Sequence, residues 1–353
     1  MTTTTVLDSA AIACLAEAIC TGRDCTAAEA RALLDVAPGS PEQAALFAGA
    51  QRIRAHFHGT QVKCCSILNV KAGNCSEDCG YCAQAKGVDN PDYDRHKWLP
   101  DEDIAAASTS ARENGAQALG IVAAWRGVKE GAQLDMVVNG IKALAANGVV
   151  RPDASLGILE SQTCADRIKE AGVAVYGHNL ETARSFFDQT CSSHGFDERL
   201  QTLQYVRKAG MGVCSGGIIG MGESKDQRIE FAEQLRMVAP DMCPINFLNP
   251  LIGTGFQDRQ PLDPDEALTT LAVFRFILPD RNLMVAGGKE ITLKERLHEV
   301  FAAGANAVMV GNYLTTLGTA PDFWQDAARR YGLEMPLAME QVGGKKAGGC
   351  GCH

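Results

Sequence analysis

The sequence predicts a (β/α)8 barrel, and three observations carry that expectation. From residue 59 onward, short apolar segments alternate with helical ones through eight strand–helix units, the number and order that close such a barrel. Glycine stands just past the end of helix after helix (Gly115, Gly148, Gly172, Gly210, Gly304, Gly332), the position of a left-handed helix cap. Three closely spaced cysteines follow the first strand, at the C-terminal strand ends where barrels of this kind hold their chemistry. A doubly wound open sheet is the alternative.

The elements follow in order. Residues 1–58 read as an N-terminal helical extension, with Ala10 to Ile19 and Ala27 to Leu34 rich in Ala and Leu, and Ser40-Pro41 placing a cap residue before proline at a first helical position. Residues 59–334 read as the barrel. Its strands are expected at Cys65–Lys71, Ala118–Trp125, Ala154–Leu159, Ala174–Asn179, Gly212–Ile219, Cys243–Leu248, Leu283–Ala286 and Ala307–Val310. Its helices are expected at Asp101–Asn114, Gln133–Asn147, Gln162–Ala171, Asp197–Ala209, Lys225–Val238, Pro264–Ile277, Leu293–Ala303 and Asp322–Tyr331. Residues 335–353 form a glycine-rich tail that ends Cys350-Gly351-Cys352-His353.

Composition excludes several classes. The net charge is −9, and no Lys/Arg run is long enough for a nucleic-acid or polybasic membrane patch. No apolar run is long enough to span a bilayer, and the first residues lack the basic-then-apolar pattern of a signal peptide. A cytoplasmic location is expected. There a chain with 14 cysteines is better explained by metal binding than by disulfides.

The most informative stretch is Cys75-Ser76-Glu77-Asp78-Cys79-Gly80-Tyr81-Cys82. Three soft thiolates at C-x3-C-x2-C spacing suit an iron–sulfur cluster. A zinc knuckle is the alternative, but no fourth Cys or His follows at knuckle spacing. Three ligands for a four-iron cluster leave one iron position open, as a catalytic zinc site does. The loop resembles that of radical S-adenosylmethionine (SAM) enzymes, in which SAM chelates the fourth iron of a 4Fe-4S cluster.

Further runs narrow the resemblance. Tyr176-Gly177-His178-Asn179-Leu180-Glu181, Val213-Cys214-Ser215-Gly216-Gly217 running on to Glu223, Pro244-Ile245-Asn246, Ala123-Ala124-Trp125 and Leu314-Thr315-Thr316 together resemble the biotin synthase family, from about residue 60 to residue 332. The resemblance implies conversion of dethiobiotin to biotin: a radical generated from SAM abstracts hydrogen, and sulfur enters from an auxiliary iron–sulfur cluster. It implies that Cys75, Cys79 and Cys82 hold the SAM cluster, flanked by Tyr81. It implies that Arg199 pairs with the SAM carboxylate, that Ala123, Ala124 and Trp125 offer backbone groups to the methionyl end, and that Glu181 and Glu223 lie near the ribose and adenosyl groups. Asn179 and Asn246 match residues at the dethiobiotin ureido ring, and Thr315 and Thr316 match residues near its carboxylate. A homodimer and a flavodoxin- or ferredoxin-type reductant are implied as well.

The sequence departs from the family at the sulfur source. There a two-iron auxiliary cluster takes three cysteines and an arginine from strands two, three, five and seven; here only Cys214 is present, and the other positions read Gly120, Asp153 and Met284. Strand alternation puts Cys65 on one face with Asn69 and Lys71, and Leu68 and Val70 on the other. Cys65 is therefore expected to point into the barrel with Cys214, whereas parity with Asn246 turns Cys243 outward. The tail is expected to bring Cys350 and Cys352 to Cys65 and Cys214 around an auxiliary cluster of four-iron rather than two-iron type, with Cys64 and His353 as reserves. Against this stands the reading of Cys65 and Cys214 as core thiols beside a loose tail. The other functions that remain open are a radical SAM mutase or hydrogenase-maturation enzyme without sulfur insertion, and an iron–sulfur carrier or sensor.

Overall fold

The computed structural model describes residues 7–89, 94–311 and 319–336. Three helices come first: α1 (Ser9–Cys20), α2 (Ala27–Leu34) and α3 (Pro41–His58). Each has a capping side chain. Asp8 accepts from the Ala11 amide, Thr26 and Glu29 form a reciprocal capping box, and Ser40 accepts from the Gln43 amide ahead of Pro41. The apolar face of α3 lies against α1 and against barrel helix α10, introduced below.

Eight parallel strands follow: β1 (Lys63–Lys71), β2 (Ala118–Ala123), β3 (Arg151–Ser155), β4 (Val175–Gly177), β5 (Gly212–Cys214), β6 (Met242–Phe247), β7 (Asn282–Val285) and β8 (Ala307–Met309). Each pairs with the next, and β8 returns to β1 through Cys65↔Met309, so the sheet closes. Closure decides for the barrel against the open sheet. The covering helices are α4 (Asp101–Glu113), α5 (Ala132–Asn147), α6 (Gln162–Glu170), the short α7 (Arg184–Phe187), α8 (Phe196–Lys208), α9 (Lys225–Val238), α10 (Pro264–Ile277), α11 (Lys289–Leu293) and α12 (Pro321–Arg330).

Side-chain alternation sorts the strands into two cores. Outward residues such as Cys64, Ile121, Tyr176, Val213, Cys243 and Ile245 are fully buried in the main core between sheet and helices. Inward residues form a smaller cluster of Met242, Met284, Ala286 and Ala307, with Cys65, Cys214 and Met309 packed on it. Parity thus puts Cys65 inside the barrel and Cys243 outside it, as expected, and removes Cys64 from the lumen.

Three local expectations need correction. The third stave starts earlier, at Arg151, and ends at Ser155. Gly157, at φ +78°, breaks the chain, and Ile158–Leu159 pairs with Gly127–Val128 in a separate ladder. The fifth stave is interrupted at Ser215-Gly216 and resumes as Gly217–Ile219 against β6. The predicted helix Leu293–Ala303 is instead α11 followed by a 3-10 segment, Lys294–Val300, because Lys294 adopts φ +51°, which an α-helix does not accommodate.

Candidate functional site

The three-cysteine loop leaves the end of β1 and is pinned from two sides. The Gly80 amide donates to the Thr190 carbonyl at 2.8 Å, and the Lys86 amide to the Glu77 carbonyl at 2.7 Å. The two acidic side chains inside the motif do the rest. Asp78 Oδ1 accepts from the Ser192 and Ser193 amides, both at 3.0 Å. Glu77 Oε2 meets Ser193 Oγ at 2.8 Å, His194 Nδ1 at 2.6 Å and the Arg126 guanidinium at 3.1 Å.

Cys75, Cys79 and Cys82 line one cavity of about 230 Å3, with Tyr81, Ala123, Ala124 and Trp125 on its wall. The three sulfurs are not drawn together as a mononuclear site would draw them: the three-ligand group within 4.8 Å among the described residues is Cys79, Cys191 and His194 instead. Three soft sulfurs spaced around a cavity fit a polynuclear cluster with three protein ligands. Burial pushes the Cys82 thiol up to about 11 and raises Cys75. Cys191 beside Cys79 raises that thiol further, while the hydrogen bond from Cys79 holds Cys191 low. Cys75, Cys79 and Cys82 therefore keep their protons until a metal displaces them to solvent.

On the far wall sits Arg199, carried by α8 and only 6% exposed. It donates to the Asn179 carbonyl at 2.9 Å and lies 3.5 Å from both the Glu181 carboxylate and the Tyr81 hydroxyl. Among the described residues its Nε has no partner, nor has the buried His178 Nε2. A buried guanidinium with an unused donor fits an incoming carboxylate. Glu181 is held at φ +71°, between its own amide's bond to the Gly216 carbonyl and its carbonyl's bond from the Ile218 amide. Burial raises its carboxyl pKa, with Arg199 pulling the other way.

The lumen forms a second cavity of about 430 Å3. Val122, Ser155, Gly177, Asn179 and Glu181 line both cavities, so the three-cysteine chamber and the barrel lumen adjoin across that shared wall. Deeper in lie Cys65 and Cys214 with Gly120, Asp153 and Met284. Arg151 pairs bidentately with Asp153 at 2.9 and 2.7 Å. Burial pushes the Cys65 thiol up to about 12 and raises Cys214 as well. Ser215 Oγ and Asn69 Oδ1 are buried without partners among the described residues.

Not every predicted residue reaches a cavity. Glu223 is turned into its own loop, accepting from the Gly220 and Gly222 amides at 2.8 and 3.1 Å and from Arg228 at 2.8 Å. It lines neither chamber, so any contact with an adenosyl group falls to the turn it braces. Asn246 lines the lumen, but its amide is committed to the Gly217 carbonyl at 3.0 Å and the Gly287 amide at 2.8 Å. Asn179 stands at the junction and accepts from the Gly216 amide at 3.1 Å. Thr315, Thr316, Cys350, Cys352 and His353 lie outside the described residues. Sequence reasoning missed Arg151, Arg126, Cys191 and His194. The C-x2-H spacing of the last two was the available signal.

Comparisons with known proteins bear on these two chambers. Residues 70–235 match the radical SAM superfamily, and residues 244–334 match the biotin and thiamin synthesis associated domain. A biotin synthase from Pelobacter propionicus is 44% identical over 277 residues, covering 78% of this chain and 84% of the relative. One from Anaeromyxobacter dehalogenans is 41% identical over 307 residues, covering 87% and 84%. Among solved structures, methylornithine synthase superposes with a TM-score of 0.79 at 16% identity, covering 91% of this chain and 97% of that one. The FeFe-hydrogenase maturase HydG from Carboxydothermus hydrogenoformans gives 0.74 at 15%, covering 91% and 78%. At such identities the structural likeness speaks for the barrel alone. The sequence relatives go further: with this identity over most of both chains, the protein belongs to the biotin synthase family of radical SAM enzymes.

Proposed function

We propose that this chain converts dethiobiotin to biotin with two iron–sulfur clusters in two adjoining chambers. The observation that carries the reading is adjacency: the three-cysteine cavity shares the wall formed by Asn179 and Glu181 with a lumen that presents Cys65 and Cys214. When bound, a reduced 4Fe-4S cluster and SAM supply hydrogen-atom abstraction from an unactivated carbon.

The chain's own residues do the positioning. Cys75, Cys79 and Cys82 offer one thiolate fewer than a four-iron cluster takes, which leaves a place for the amino and carboxylate groups of SAM. Arg199 grips that carboxylate with its spare Nε–H. Tyr81 and the backbone of Ala123, Ala124 and Trp125 confine the methionyl end, and Glu181 accepts from the ribose. Asn179 faces the dethiobiotin ureido ring and Asn246 braces the same wall. Thr315 and Thr316 are assigned to the substrate carboxylate by family position. The enclosed lumen keeps solvent from the reacting carbon. Cys65 and Cys214 hold the auxiliary cluster, with Cys350 and Cys352 of the tail as the remaining ligands and a four-iron core as its type. The Arg151–Asp153 pair lines the same lumen. A flavodoxin- or ferredoxin-type reductant, a homodimer and a cytoplasmic location complete the proposal; among the described residues no helix is long and apolar enough to cross a membrane.

The test is turnover under anaerobic reduction. Dethiobiotin should stimulate release of 5′-deoxyadenosine and yield biotin, and Cys75→Ala should abolish both. Formation of 5′-deoxyadenosine that ignores dethiobiotin would sink the reading and favour a radical SAM enzyme without sulfur insertion.

A further inference from the structure

The loop that clasps the cluster motif carries chemistry that the reaction above leaves unused. Thr190 to Gly195 runs from α7 into α8, and its Cys191-Ser192-Ser193-His194 presents a thiol and an imidazole to Cys79. Cys191 Sγ lies 3.7 Å from Cys79 Sγ, and 3.3 and 3.8 Å from Nδ1 and Nε2 of His194. A tetrahedral zinc ion with bonds of about 2.3 Å to sulfur and about 2.05 Å to nitrogen sets edges of about 3.8 Å between sulfurs and about 3.6 Å between sulfur and nitrogen. The two sulfurs thus already stand at one edge of such a site, and the His194 ring lies beside Cys191 with Nδ1 nearer than Nε2, so it turns about its Nδ1–Glu77 hydrogen bond to aim Nε2 at the ion.

We propose that Cys79, Cys191 and His194 Nε2 form a mononuclear site for a thiophilic divalent cation in the chain before its cluster is assembled, and that this cation competes with the cluster for Cys79. The donor set of two sulfurs and an imidazole selects zinc or a similar borderline ion over calcium or magnesium. Glu77 Oε2 sits 2.6 Å from His194 Nδ1. It holds the ring so that Nε2 is the free ligand nitrogen, the carboxylate–histidine arrangement that orients imidazoles on metals. Arg126, 3.1 Å from the same carboxylate, fixes Glu77 in turn. The two sulfurs are held together because both loops are pinned: Asp78 caps the Ser192 and Ser193 amides, and Thr190 receives the Gly80 amide. The site is also enclosed, with Glu77, Cys191 and His194 exposed by only 6, 6 and 8%. A fourth position is left for water or for Asp78 Oδ1, which lies 3.2 Å from Cys191 Sγ.

The site itself needs only this geometry; the competition rests on Cys79 also serving the SAM cluster. Binding takes both sulfurs as thiolates, displaces the Cys79 proton to solvent and involves no redox change. A chain charged with zinc keeps Cys79 and Cys191 bound together, while Cys75 and Cys82 stay uncommitted.

The test uses the full-length chain, anaerobic and without its clusters, titrated with cobalt(II) as the spectroscopic probe and back-titrated with zinc. A Cys75→Ser/Cys82→Ser variant should keep one cobalt ion with tetrahedral visible bands and thiolate charge transfer, displaced by equimolar zinc. Cys191→Ser, which swaps one chalcogen for another with little change of shape, should lose that signal, as should His194→Gln. Glu77→Gln should weaken binding by ~10–100-fold, the range for losing an orienting partner. If Cys75→Ser/Cys82→Ser removes the signal while Cys191→Ser keeps it, the ion sits on the cluster cysteines and the proposal is overturned. A signal indifferent to both sets of changes, as from the terminal cysteines, overturns it equally. For the competition, stoichiometric zinc should slow cluster reconstitution in the wild type and not in Cys191→Ser; equal slowing in both defeats that part. Cobalt binding does not depend on dethiobiotin turnover, so failure of one reading leaves the other standing.

Discussion

Gly216 and Gly217 show what single residues contribute to the site. A Cβ on Gly217 would lie 2.2 Å from the Glu181 carbonyl oxygen, and one on Gly216 would lie 1.9 Å from that of Pro244. Neither neighbour is a side chain that could swing away. The two glycines let the end of β5 approach β6 and the chain after β4 closely enough for Glu181 to reach the chamber junction in its left-handed conformation. Gly217→Ala should therefore destabilise the fold by about 1–3 kcal/mol, the range for overpacking, and weaken SAM binding as Glu181 moves. Denaturant midpoints and equilibrium dialysis of SAM would measure the two effects. An unchanged SAM affinity would separate Glu181 from the cofactor. The glycine pair was legible in the sequence as a motif, but its cause was not, because the atoms it avoids belong to other strands.

At the scale of elements, one buried cation adds to the packing of α3 on α10 that fastens the N-terminal helices to the barrel. Arg275 of α10 is fully buried and donates to the Gly304, Leu278, Pro279 and Arg281 carbonyls, to Asn306 Oδ1, and to His58 Nε2 at the end of α3 at 3.1 Å. That last bond requires neutral His58. Burial first, then the Arg275 and Lys63 charges, lower its pKa from 6.5 to about 4, with Asp280 opposing weakly. Between these two values the unfolded chain binds the proton and the folded chain does not. The stabilising contribution is therefore complete above about pH 6.5 and is lost as pH falls toward 4. Denaturation midpoints should drop across that window, and His58→Gln, which keeps an acceptor without a titrating ring, should flatten part of the drop. A slope unaltered by the substitution would remove His58 from the account. The helices themselves were readable from their caps and apolar spacing. The Arg275 hub was not, since its partners come from α3 and from the turns flanking β7 and β8.

At the scale of the whole molecule, barrel closure brings together what the chain separates. The two family matches divide the barrel between residues 70–235 and 244–334, yet β6 pairs with β5 on one side and β7 on the other, so neither part closes alone. Cys65 on β1 and Cys214 on β5 become neighbours of one lumen only through that closure. If they hold the auxiliary cluster, Cys65→Ser/Cys214→Ser should lower iron from about eight to about four atoms per chain, the difference of one four-iron cluster. It should spare 5′-deoxyadenosine formation and abolish biotin formation. Cys243→Ser, on the opposite face of its strand, should leave the iron count alone. Anaerobic iron and sulfide analysis with product assays decides this; unchanged iron in the lumen variant would defeat the assignment.

The sequence by itself determined the alternation that makes a barrel, the three-thiolate spacing that suits a cluster, and the inward parity of Cys65. Each is written in spacing along a single segment, where geometry is set by the helix or strand period alone. Tertiary structure decided the rest. It turned Glu223 into its own loop, shifted the third strand back to begin at Arg151, which lines the lumen, and laid Cys191 and His194 against Cys79. The last depends on which segments stack once the sheet has closed, since a contact between residues more than a hundred positions apart leaves no periodic trace in one sequence; the first two are choices of turn and register that the helix and strand periods do not set.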